Sequence, residues 1–250
     1  MAYFKDPDLE FLSKCSDKEL NDLVYCLTHG KDGHIRLTEE LTQSELYKKY
    51  HPKHSLYWQA IAAEIQCFGA NTFMTILRGG QGVPYREVLC DVCKKLKVKY
   101  NSHASTEEIE QELILKVFED ALENMPDADR KKITSKLDIP KSSSSSARAI
   151  TSAARLIFQQ GGFKSYQISV IVANAVYKAV MGRGLSLAAN STLTKSLSVL
   201  TGPVGLAISI AWAMIDISGS AYRVTIPAVF EIALLRQSSK SKKKTFFGLF

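Results

Sequence analysis

Through the first half of the chain, apolar residues recur at three- and four-residue intervals between turn-forming residues, which predicts a string of short helices. Asp6, Pro7 and Asp8 open the first, over about 6–15. Ser16 and Glu19 form a capping box, whose hydroxyl and carboxylate satisfy two orphan amides, and the helix that follows is stopped by Gly30. Its Leu20, Leu23, Val24 and Leu27 share one face, so that face must be buried. Further helices are predicted over 56–68, stopped by Gly69, over 71–78, stopped by Gly79, and from Pro84 to about residue 96. Ser105 and Glu108 repeat the capping box for a helix reaching about residue 125. Ile109, Leu113, Val117 and Leu122 mark its core stripe, whereas Glu107, Glu108, Glu110, Glu119 and Asp120 are assigned mostly to its solvated face. Pro126 breaks the run, and a short helix is predicted over 128–137.

The serines at 142–146 are too polar to pack and make the best boundary in the chain. They divide it into an N-terminal helical domain over 1–140, a linker over 141–146, an apolar C-terminal helical domain over 147–237 and a tail over 238–250. Apolar helices are predicted over 147–160 and 166–181, with a further element over 185–200. Pro203 then starts a helix at the position where a missing amide costs nothing. Residues 196–215 carry no charge, but the Gly202-Pro203 pair cuts this run and leaves about 14 helical residues, or about 21 Å, against about 30 Å of hydrocarbon. Pro227 restarts a final helix over 228–236. With no alternating strand pattern and no internal repeat, the expectation is an all-α protein: a multi-helix N-terminal domain and an apolar C-terminal helical hairpin or bundle.

Composition changes this picture mainly through charge. The 250 residues, 46% hydrophobic and 23% charged, can bury a substantial core, which excludes disordered and collagen-like classes. Residues 1–140 carry 19 Lys/Arg against 23 Asp/Glu, while 141–250 carry 13 Lys/Arg against Asp216 and Glu231 alone. A weakly acidic half joined to a basic, apolar half suggests a soluble domain followed by something that meets an anionic or apolar surface; an ordinary helical core with a basic exterior explains the same numbers. Five cysteines are too few for a disulfide scaffold, and the start of the chain lacks the pattern of a signal peptide, so an intracellular protein with free thiols is expected.

Candidate chemistry is sparse. Asp216 and Arg223 lie two turns apart, about 10.5 Å, on a continuous helix; a break at Gly219 would let them pair and close a helical hairpin. In the tail, Lys242, Lys243 and Lys244 precede Phe246, Phe247 and Phe250, the chemistry of a two-signal lipid anchor. The same residues would suit nucleic acid, but no nucleic-acid fold signature accompanies them, and a solubilising terminus is the third reading. Cys90 and Cys93 with His51 and His54 supply four potential zinc ligands, although a CxxC within a helix is a poor knuckle. Arg78-Gly79-Gly80 lacks the Lys-Ser/Thr of a phosphate loop, and no Gly-x-Ser-x-Gly elbow occurs, so neither a catalytic motif nor a cofactor is identified.

Several stretches carry a resemblance. Cys15-Ser-Asp-Lys-Glu-Leu, Trp58-Gln-Ala-Ile-Ala-Ala-Glu-Ile-Gln, Gly202-Pro-Val-Gly and Gly219-Ser-Ala-Tyr-Arg-Val-Thr-Ile-Pro-Ala-Val resemble the bacterial YaaW-type proteins, over nearly the whole chain. Residues 47–137 are distantly similar to the ubiquinol-cytochrome c chaperone family. Neither resemblance brings an active site. The expected function is non-enzymatic: the first domain binds a protein partner, and the second meets an anionic membrane surface through Leu206, Ile208, Ile210, Trp212 and Ile215, placing the protein in the cytoplasm or peripherally on the inner membrane. The alternative is a soluble chaperone-like assembly protein whose C-terminal helices complete a protein core.

Overall fold

The computed structural model describes residues 3–69, 82–137, 139, 146–186, 202–209, 212 and 221–247. The fold is all-α; among the described residues the only β pairing is an isolated antiparallel bridge between His29 and Ile35. The elements are α1 (Asp17–Thr28), α2 (Glu45–Tyr50), α3 (Trp58–Gly69), α4 (Tyr85–Lys95), α5 (Thr106–Glu123), α6 (Asp127–Lys136), α7 (Ala147–Gln160), α8 (Phe163–Met181) and α9 (Tyr222–Phe247). Residues 202–209 are also helical, and 3-10 turns occupy Glu10–Lys14, Leu41–Gln43 and His54–Tyr57.

Both predicted capping boxes form. The Glu19 carboxylate accepts from the Ser16 amide at 3.0 Å, and Glu108 accepts from the Ser105 amide at 2.7 Å while Ser105 Oγ accepts from the Glu108 amide at 3.3 Å. Gly182, at φ 75°, ends α8 in the left-handed conformation that glycine takes without strain. The helix predicted over 71–78 and most of the element over 185–200 lie outside the described residues.

Two expected boundaries are corrected. In place of a helix over 6–15, residues 7–9 form a turn that leads into the 3-10 helix Glu10–Lys14: Asp6 Oδ1 accepts from the Asp8 amide at 3.0 Å and its carbonyl from the Leu9 amide at 3.0 Å, while Oδ2 accepts from the Tyr85 amide at 2.7 Å, satisfying an orphan donor at the start of α4. At the other end, Pro227 does not restart a helix but lies inside α9. Its missing amide deprives the Arg223 carbonyl of its usual partner, and Arg36 Nη2 donates to that carbonyl instead at 3.4 Å.

The buried residues on both sides of the serine run form one contiguous core. Its axis is α9, which lies against α8 and also touches α1, α3, α4 and α5. Every residue from 224 to 235 of α9 is buried, the pattern of a helix surrounded by protein. The Leu20, Leu23, Val24 and Leu27 face of α1 and the Ile109, Leu113, Val117 and Leu122 stripe of α5 are buried as predicted. Glu110 is not on a solvated face: it is 1% exposed, because α9 covers that side of α5.

Candidate functional site

The polar groups buried around α9 show how it is held. Arg236 Nε donates to Glu110 Oε2 at 2.8 Å, and its Nη2 donates to Glu110 Oε1 at 3.2 Å and to the Asp8 carbonyl at 2.7 Å. Tyr85 donates its hydroxyl to Glu110 Oε1 at 2.8 Å, and the guanidinium lies 4.4 Å from the Phe11 ring centroid. One bidentate pair thus ties α9 to α5, α4 and the N-terminal segment. Burial raises the Glu110 carboxyl above its ordinary value, against the pull of Arg236, so desolvation is the larger effect. Such a pair adds little net stability but is costly to break from one side, which fixes the register of α9.

A second polar cluster lies where α9 meets α1 and the end of α8. Asp22 Oδ2 accepts from the Ser186 amide at 2.6 Å and hydroxyl at 2.7 Å, while Arg183 Nη2 stands 3.5 Å from Oδ1. Tyr177 donates to the Asp22 carbonyl at 2.8 Å. Glu231, on α9, is 4% exposed and shares with Asp22 a cavity of about 50 Å³. Burial, reinforced by Asp22, pushes the Glu231 carboxyl well above the usual carboxylate range.

The residues expected to meet a membrane divide. Ile208 is fully buried and Trp212 is 5% exposed, its ring centroid 6.5 Å from that of Phe230; Leu206 is 65% exposed. Ile210, Ile215 and Asp216 lie outside the described residues, as does Phe250. Arg223 is exposed, and the buried ion pair observed on α9 is Glu110–Arg236. The α9 backbone remains helical through Lys242, Lys243, Lys244, Phe246 and Phe247, and just before them Lys240 pairs with Glu107 on α5. Among the described residues no helix is long and apolar enough to cross a membrane.

Of the potential zinc ligands, Cys93 is buried on α4 beside half-buried Cys90, while His51 and His54 pack edge to face with ring centroids 5.6 Å apart before α3. All five cysteines are free thiols, and no group of three His, Cys, Asp or Glu able to hold a metal ion occurs among the described residues. A cleft of about 700 Å³ lies between residues 99–104, α5 and α7, bordered by Tyr100, Glu108, Gln111, Arg155, Phe158 and Gln159. Arg155 crosses it to pair with Glu112, and exposed Leu156 lies beside it in sequence on α7.

The chain is 47% identical to a UPF0174 protein of Helicobacter pylori strain J99, covering 97% of both. The UPF0174 protein YaaW of Escherichia coli K12 is 35% identical over 94% of this chain and 95% of its own length. The chain belongs to the UPF0174 family. A second UPF0174 protein of H. pylori J99, 35% identical, is covered entirely by 82% of this chain. The ubiquinol-cytochrome C chaperone family model matches residues 53–230, so this part of the UPF0174 chain belongs to that family, over a wider span than the 47–137 expected. A domain of unknown function, DUF3944, matches residues 3–37. No solved structure matches.

Sequence reasoning missed the two buried acids of this UPF0174 chain that matter most to α9. Glu110 was masked by the acids around it, although it immediately follows Ile109 and is spaced three residues before Leu113 on the core stripe. Glu231 carried a readable signal: it is an acid in the middle of an otherwise apolar run from Val229 to Leu235.

Proposed function

We propose that the protein is a non-enzymatic interaction module that binds a protein partner during assembly, with its apolar C-terminal helices serving as its own core. The observation that carries this reading is the burial of α9 on every side between 224 and 235. A helix whose apolar surface is already covered by α8, α1, α4 and α5 has no face left for lipid; inserting it would require unmaking the core and separating Arg236 from Glu110. The chaperone family matched over 53–230 supports an assembly role. The serine run is proposed as the junction of two cooperating segments, 1–140 and 147–237, and the open cleft beside α7 as the surface where a partner is sought.

The test has two arms. A photo-crosslinking residue at Gln159, in the cleft, should yield a discrete protein adduct in living cells that Arg155→Glu abolishes, while the same residue at exposed Lys131 on α6 should yield none. In parallel, the full chain and a chain ending at Gln237 are sedimented with anionic vesicles. Neither should bind. If the full chain binds and the truncated chain does not, Lys242 to Phe250 act as a lipid anchor and the membrane reading replaces this one.

A further inference from the structure

The cavity between α1, the end of α8 and α9 holds an unmatched carboxyl oxygen. It is lined by Lys18, Glu19 and Asp22 of α1, Tyr166 of α8, Leu185 and Ser186, and Glu231, Leu234, Leu235 and Ser238 of α9. Asp22 is satisfied by Ser186 and faces Arg183, and Glu19 accepts from Ser16 and, at 3.4 Å, from Ser238 Oγ. Glu231 differs: its Oε2 is buried and has no hydrogen-bond partner among the described residues. Leaving such an oxygen unmatched is costly, and native interiors rarely do so. Lys18 stands exposed on the rim and is not ion-paired to Glu231, while Arg36, within electrostatic reach of neighbouring Cys26, is used on the Arg223 carbonyl.

The geometry points to a binding site for one desolvated monovalent cation, of the size of potassium or ammonium, held by Glu231 Oε2 with the hydroxyls of Ser186, Ser238 and Tyr166 around it. The cavity volume of about 50 Å³ suits one or two water-sized species. All the available donors are oxygens, which favours a hard cation. A divalent ion is disfavoured because no three carboxylate, thiol or imidazole groups able to hold a metal converge among the described residues. Burial and Asp22 both oppose ionisation of the Glu231 carboxyl and so favour its protonated form. Proton and cation therefore compete, and cation binding strengthens as pH rises. Besides Asp22, the other titratable or charged groups around the site are Lys18, Glu19 and Cys26 on α1, Tyr166 and Tyr177 on α8, Arg183 after it, and Arg36.

Thermal unfolding of the full chain in potassium chloride and in choline chloride at equal ionic strength tests this. The midpoint should rise by about 3 °C in potassium at saturating concentration, with ammonium equivalent, lithium weaker and a larger effect at higher pH. Thallous ion, a potassium surrogate, should show a bound thallium NMR signal that potassium displaces. Glu231→Gln should abolish both responses while folding normally, and Ser238→Ala, which keeps the carboxylate, should weaken them. Equal midpoints in potassium and choline, a response that survives Glu231→Gln, or a stronger response to magnesium would each overturn the assignment, the first leaving only water in the cavity.

Discussion

Replacing Glu64 with glutamine should stabilise the protein progressively as pH rises. Glu64 on α3 is 2% exposed; its Oε1 accepts from the Glu40 amide at 3.2 Å, and its Oε2 has no hydrogen-bond partner among the described residues. Burial, with Glu39 and Glu40 adding to it, lifts the carboxyl from 4.5 to about 8 despite the opposing amide bond. The folded chain thus holds this proton more tightly than the unfolded chain. The unfolding free energy falls as pH climbs above about 4.5 and levels off beyond about 8. At about 1.4 kcal/mol per unit, the penalty accumulated over the interval is roughly 3 to 5 kcal/mol, a large share of a typical domain's stability. Glutamine preserves the acceptor for the Glu40 amide and has no proton to lose. Urea unfolding followed by far-UV circular dichroism should therefore give nearly equal stabilities at the acid end and an advantage for Glu64→Gln that grows toward the alkaline end. The raised Glu110, Glu231 and Asp22 and the lowered Asp17 are common to both chains and cancel in the difference. Parallel stability curves for the two chains across the interval would refute the reasoning.

Other outcomes follow from the packing of α9. Arg236→Met should cost about 3 to 5 kcal/mol in chemical unfolding by stranding Glu110, and Glu110→Leu in the same chain should recover much of that loss. Ile208→Ala should cost about 2 to 5 kcal/mol, whereas Leu206→Ala, two positions away but 65% exposed, should stay within about 0.5 kcal/mol. Proteolytic nicking in the serine run should leave the two fragments associated on a native gel, because α9 remains packed on α1, α3, α4 and α5.

Local features of the chain were largely legible because they depend on neighbouring residues. Ser16 with Glu19 and Ser105 with Glu108 are read correctly as helix starts, since each box closes within three positions. What sequence could not convey was the reach of single side chains across the fold. Asp6 reads as a local opener, which it is for a turn, but nothing nearby shows that its second carboxylate oxygen serves the Tyr85 amide far along the chain. Pro227 looks like a helix break until Arg36 takes the carbonyl it releases. The apolar C-terminal run reads as demanding burial, but hydrophobicity alone does not say whether protein or lipid supplies it. The contacts that hold α9 run through long-range partners such as Glu110 and Arg236, whose spacing of 126 positions gives no periodic signal.

The measurement that tests the central claim most directly is the fluorescence of Trp212 in a Trp58→Phe chain, recorded in buffer and with anionic vesicles. Phenylalanine preserves a ring at position 58, where Tyr3 packs edge-on at 5.5 Å, so the fold should be retained. Trp212, 5% exposed against Phe230, should emit in the blue in buffer, resist quenching by acrylamide and remain unchanged when lipid is added. A red, quenchable emission that shifts to the blue only on vesicles would show that lipid, rather than the protein's own core, buries these helices.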